Sequence, residues 1–166
     1  MIEHQTITVT KIISAACRDF MAFSGAHTFE FDSGINTIIG GNASGKSSLI
    51  TLITQALSPE TSRRFNKQWY PNNNSETSLL ELKFVAGEKT HFLRRVMNGD
   101  HTTDLHLYIG EGGDTEFLRD GEVVAYLTKL KTVFLFDSFD TSRRDFFTWT
   151  SRNKANADSM FVYRDD

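Results

Sequence analysis

The sequence predicts an α/β fold on three observations. An apolar run passes directly into a glycine-rich loop, a helical apolar face follows that loop, and the period then changes to two at residues 80–84 and 105–109. The 166 residues suffice for one well-packed core, and 14 Phe supply large apolar side chains to bury. A formal net charge of -3 excludes a protein that holds nucleic acid by bulk positive charge, so any such contact is expected through local basic patches. The single cysteine, Cys17, excludes an intrachain disulfide and reads as a buried small apolar residue. Residues 1–11 are neither a signal-peptide core nor a membrane span, which gives the expectation of a soluble, cytoplasmic protein with no membrane partner.

Each element follows in chain order. Residues 7–15 are rich in β-branched side chains and read as a first strand; residues 27–31, with Phe29 and Phe31 on one face, read as a second. Asp32-Ser33-Gly34 supplies a turn, and the short run 35–39 reads as a buried strand leading into Gly40. From Lys46, the positions Leu49, Ile50, Leu52, Ile53, Ala56 and Leu57 form one helical face, ended by Ser58-Pro59. Residues 60–77 are polar and read as a long surface loop.

Three strands are then expected around residues 80–84, 89–96 and 105–109. Ala86-Gly87-Glu88, Asn98-Gly99 and Gly112-Gly113-Asp114 turn the chain around them. The result is an antiparallel meander. A short helix is expected at 122–131, then an apolar run 132–136 ending in Asp137. Residues 1–150 read as one nucleotide-binding lobe and 151–166 as a polar C-terminal tail.

Gly40-Gly41-Asn42-Ala43-Ser44-Gly45-Lys46-Ser47 fits G-x-x-x-x-G-K-[ST] at every specified position, between a predicted strand and a predicted helix. A β-phosphate must rest against backbone N–H groups, and glycine lets the backbone approach without a Cβ in the way. The helix start adds free N–H groups and a positive dipole end. The predicted phosphate site is therefore Gly40, Gly41, Asn42, Ala43, Ser44, Gly45, Lys46, Ser47 and Ser48, taking ATP with Mg²⁺. Lys46 is expected at the β- and γ-phosphates as the catalytic candidate, and the Ser47 hydroxyl on Mg²⁺. Ser48 adds a hydroxyl for the α-phosphate.

Asp19-Phe20-Met21-Ala22-Phe23, then Phe29-Glu30-Phe31, then the run from Gly34 through the P-loop to Leu49 resemble the N-terminal lobe of SMC, RecF and related DNA-repair ABC-type ATPases. The shared pattern is roughly N-F-[RK]-S-F, a strand, then G-x-N-x-I-x-G-x-N-[GA]-S-G-K-S-[ST]-L. The resemblance spans residues 7–57 and extends more loosely into the meander. It implies an ABC/SMC-head-like lobe, with the meander beside the P-loop strand and helix. Met21 stands where the pattern has a basic residue, and Arg18 is near enough in sequence to substitute.

The second half of such an ATPase is not visible: there is no L-S-G-G, no strand ending in Asp-Glu, no histidine after His106 and no glutamine after Gln68. The resemblance therefore implies a second lobe or partner chain that carries the signature and Walker B motifs. Asp137 reads as a strand-terminal turn residue rather than a water-bridged Mg²⁺ ligand, because Ser138 stands where the water-positioning glutamate belongs. The alternative reading is a complete small P-loop NTPase or kinase. A GTPase is disfavoured, since no D-x-x-G follows the loop and Asn66-Lys67-Gln68-Trp69 lacks the guanine-reading aspartate.

The remaining signals are weaker. Arg63, Arg64 and Lys67 with Trp69 and Tyr70 read as a solvated loop with anchoring aromatics. Arg143-Arg144 with Phe146, Phe147 and Trp149 reads as a last helix. Arg94-Arg95 lies in a strand, so one arginine faces each side of the sheet. The five histidines show no metal-ligand spacing.

Overall fold

The computed structural model describes residues 7–59, 76–99 and 102–131. The expected loop at 60–77 (but for its last two residues), the apolar run 132–136 with Asp137, the segment at 143–149 and the tail at 151–166 lie outside the described residues.

Strand β1 (Ile7–Phe20) turns tightly through Met21 and Ala22 into β2 (Phe23–Glu30). After the glycine-rich loop comes α1 (Lys46–Leu57), then β3 (Thr77–Ala86), β4 (Lys89–Asn98), β5 (Thr103–Ile109) and β6 (Glu116–Arg119). Helix α2 (Asp120–Lys129) leads to a two-residue strand β7 (Leu130–Lys131). Spatial order is β2-β1-β3-β4-β5-β6, with every neighbour antiparallel, and β7 pairs parallel to β1 at Ile7 and Thr8.

The meander forms as its turns dictate. Gly87 and Glu88 both take positive φ, 55° and 66°, the requirement of the two-residue turn whose twist matches the flanking strands. Alternation does the rest. In β3 to β5 every second side chain is buried, among them Leu80, Leu82, Phe84, Leu93, Met97, Leu105 and Leu107. One face of the sheet is thus apolar. Leu49, Leu52, Ile53, Ala56 and Leu57 of α1 cover it opposite β1, β3 and β4, and Val123 and Leu127 of α2 cover it opposite β5 and β6.

Helix α2 begins two residues earlier than the periodicity suggested. The Glu122 carboxylate accepts from the Arg119 N–H at 3.3 Å, and Asp120 accepts from the Leu105 N–H at 3.1 Å. These bonds cap the helix start and tie it to β5. Strand β6, too short and unpatterned to read in the sequence, is held by pairing Phe117 with Tyr108 and Arg119 with His106. Cys17 is buried, and desolvation, reinforced by the Asp19 carboxylate, pushes its thiol up to about 11.

One expected element is absent. Residues 35–39 form no strand, and Ile35 and Ile39 are 98% and 87% exposed. A strand exists only through its ladder, and no described strand runs beside this segment. The apolar run that suggested burial is therefore left unpaired and uncovered among the described residues.

His91 gives the fold a pH dependence. It is buried, stacked on Phe84 at 4.9 Å, with Nδ1 2.8 Å from the Lys89 carbonyl and Nε2 2.6 Å from the Tyr126 hydroxyl. A carbonyl only accepts, so Nδ1 carries the proton and Tyr126 donates to Nε2. Burial lowers the His91 pKa below 6.5, partly opposed by the Lys89 carbonyl bond and helped by the Lys89 charge. On acidification the unfolded chain therefore takes up the proton first. The contribution is complete above pH 6.5 and is lost as pH falls through 6.5 towards the folded value. The urea midpoint of the wild type is expected to fall between pH 7 and 5.5, and His91→Gln should lack that component of the slope. Identical slopes in the two proteins would contradict this assignment.

Candidate phosphate-binding site

The site is built from β2 outward. The chain leaves the sheet where the Phe31 N–H donates to the Ile13 carbonyl at 2.9 Å. Asn36 then closes a bend on itself: its amide donates to the Asp32 and Gly34 carbonyls at 3.0 and 3.3 Å, and its oxygen accepts from the Asp32 N–H at 2.9 Å. Beyond residues 35–39, the loop turns at Ala43 (φ 61°) and Gly45 (φ 94°) and enters α1. Left-handed residues alternating with ordinary ones are the backbone pattern of an anion-binding concavity, in which the Ser44 N–H here donates to the Gly41 carbonyl at 3.3 Å. Gly45 caps α1 without any side-chain hydrogen bond, and the first turn carries no acid. The helix start is thus unobstructed for a phosphate.

The two glycines that the motif specifies are the two that sterics demand. A Cβ on Gly40 would stand 2.4 Å from the Ser44 hydroxyl oxygen, and one on Gly45 would stand 2.7 Å from the Phe23 ring. Gly41 has open space around it. Phe23 is the support that the sequence did not single out. It is buried at the start of β2, packs with His27 and Phe29 at ring distances of 5.1 Å, and forms the floor under the loop. Its visible signal is the final aromatic of the Asp19–Phe23 run.

Lys46 is half-buried and curls over the loop, donating to the Gly40 and Gly41 carbonyls at 2.8 and 2.5 Å, with Ser44 Oγ at 3.4 Å. Its ammonium therefore sits inside the ring of loop atoms where a phosphate charge would complement it. Ser47 is exposed at the mouth of the loop. Ser48 is buried, and its Oγ accepts from the Ala22 N–H at 3.4 Å, which ties α1 to the β1–β2 turn. Residues 40 to 48 thus come together as one loop and helix start. Donors for phosphate and a hydroxyl for Mg²⁺ are both present, and no His, Cys, Asp or Glu cluster suited to a metal occurs among the described residues.

Arg18 is not part of this site. It alternates with the buried Ala15 and Cys17 and pairs with Leu79 and Ala26, so it projects from the sheet face opposite α1. Met21, at φ 49°, occupies the turn beside the core and brings no charge.

The family model for AAA domains matches residues 16–158. The chain belongs to this AAA domain family. The match begins in β1 and takes in the whole glycine-rich loop. No curated protein matches the chain. Among solved structures 37 chains match, including that of the recombination mediator protein RecF-ATPrS in the RecFOR pathway. That likeness has a TM-score of 0.58 at 17% identity, covering 86% of this chain and 38% of the RecF chain. The AAA domain here therefore has the fold of an SMC/RecF-like N-terminal lobe and spans well under half of that relative's length. No described helix is long and apolar enough to cross a membrane.

Proposed function

We propose that the chain binds ATP with Mg²⁺ through residues 40 to 48 and acts as the nucleotide-binding half of an SMC/RecF-type ATPase serving DNA repair in the cytoplasm. The observation that carries this reading is the caged Lys46 ammonium above an uncapped helix start, with Gly40 and Gly45 at the two points where no Cβ fits. When bound, Mg²⁺ would be held by the Ser47 hydroxyl and the phosphates, and would neutralise charge on the terminal phosphate oxygens. Lys46 supplies the fixed positive charge, and the N–H groups of the loop orient the phosphate chain.

The requirement for a second lobe or partner is supported by the uncovered residues 35–39. In a P-loop fold this segment is a sheet strand flanked by others, and here Ile35 and Ile39 face solvent. The lobe at 1–150 would gain the signature and Walker B groups from that partner. A complete small P-loop NTPase or kinase is the competing reading, and turnover by the isolated chain separates the two.

The metal role is tested through Ser47. ATP is expected to bind more tightly with Mg²⁺ than with EDTA by calorimetric titration, and Ser47→Ala should erase most of that difference while leaving EDTA-ATP affinity within about twofold. A metal effect that survives the substitution would remove Ser47 from the coordination shell.

A further inference from the structure

The outer face of the sheet carries a second constellation, remote from α1 and from the phosphate loop. Strand register aligns Lys83, Phe92, Tyr108 and Phe117 in one row across β3 to β6. The neighbouring row aligns Glu81, Arg94, His106 and Arg119. Partners in register project to the same face, so both rows stand on the side that neither helix covers.

The rings form a continuous platform. Tyr108 and Phe117 lie 4.8 Å apart and Phe92 and Tyr108 6.2 Å, both tilted, while Phe117 also meets the His106 ring at 5.8 Å. Mutual contact does not hide them: Tyr108 and Phe117 remain 39% and 44% exposed. Within β3 to β6 the only acid in these two rows is Glu81, which lies 3.5 Å from the Arg94 guanidinium; Asp104 stands one row further on, opposite Val96, and Glu30 stands two strands beyond Lys83. Three cations and one acid give the platform a positive local balance on a chain whose total is -3.

We propose that this face binds single-stranded nucleic acid, with bases stacked on Tyr108 and Phe117 and phosphates at Lys83, Arg94 and Arg119. Exposed aromatics interleaved with cations on an open sheet are what unpaired bases and their backbone require. The core of a protein interface is instead depleted of charge. A duplex hides its base faces and offers these rings nothing to stack on. The inference does not rest on the nucleotide reading, because the two sites occupy opposite faces and are measured with different ligands.

The test is fluorescence anisotropy of the full chain with a labelled oligothymidylate and with a duplex of equal length, without nucleotide. The single strand should bind more tightly than the duplex. The logarithm of its affinity should fall with the logarithm of salt at a slope of about -2, as three neutralised phosphates require. Tyr108→Ala with Phe117→Ala should weaken binding by about tenfold or more. Arg94→Gln with Arg119→Gln, which leaves the rings and core untouched, should bring the slope to about -0.7. Lys129→Ala, removing an exposed cation of α2, should change nothing. Absent binding, tighter duplex binding, or an unchanged slope in the arginine variant would each overturn the proposal, the first of these returning the face to a polypeptide partner.

Discussion

Lys46→Ala is expected to lower ATP affinity by a hundredfold or more while leaving the fold intact. The Lys46 ammonium is aimed into the loop by the Gly40 and Gly41 carbonyls, so a bound phosphate meets a donor already in place. Charge-assisted hydrogen bonds contribute about 1.5–3 kcal/mol each. Losing contacts to two phosphate oxygens then amounts to about 3–6 kcal/mol, or at least two decades in Kd. The fold should survive because the hydrogen-bond partners of this side chain are loop atoms and none belongs to the core. Calorimetric titration beside a circular dichroism melt reads both effects. A folded variant with unchanged ATP affinity would remove the phosphate site from this loop.

The isolated chain should hydrolyse ATP at about 10⁻³ per second or slower. Phosphoryl transfer depends on positioning and on charge around the γ-oxygens, and groups supplied in trans contribute roughly 10³ to 10⁵ in rate. The described residues offer Lys46, Ser47 and the loop N–H groups, and none of them is a glutamate ending an apolar strand to position a water. Phosphate release at saturating Mg²⁺-ATP is the measurement. Turnover of about one per second that disappears in Lys46→Ala would refute the half-site reading and establish a complete small NTPase.

The meander was legible because its signals are local. Alternation from Leu80 to Ile109 and the residues Gly87 and Asn98 each act over a few positions, and the structure places strands and turns where they indicate. The glycine-rich loop was legible for the same reason, since Gly40 and Gly45 are dictated by contacts within the motif or with its neighbouring strand. The run 35–39 was misread because apolar composition reports what a segment requires and cannot report whether a neighbouring strand is present to supply it.

Tertiary pairings were equally silent in one dimension. The Ala22 amide on Ser48, the Phe23 floor and the alignment of Phe92 with Tyr108 and Phe117 join residues whose proximity depends on register. Arg18 shows the cost of arguing from sequence distance: three residues from Met21, it emerges on the other side of the sheet. Arg94 and Arg95 show what period-two reasoning does settle. Arg94 points outward, whereas Arg95 is fully buried and donates to the Ala56 and Ser58 carbonyls at the end of α1.

The uncovered stretch before the glycine-rich loop also bears on how the polypeptide behaves in solution. Between Asp32 and Lys46 there is neither a proline nor a charged side chain, and these are the usual gatekeepers that stop one extended backbone from templating another. Unpaired among the described residues, the segment with Ile35, Ile38 and Ile39 is therefore a self-association hazard that rises with concentration and would end once a strand docked along it. If the proposed partner supplies that strand, aggregation resistance in this molecule becomes a property of the completed assembly, and solubility a direct gauge of whether the segment has found its cover.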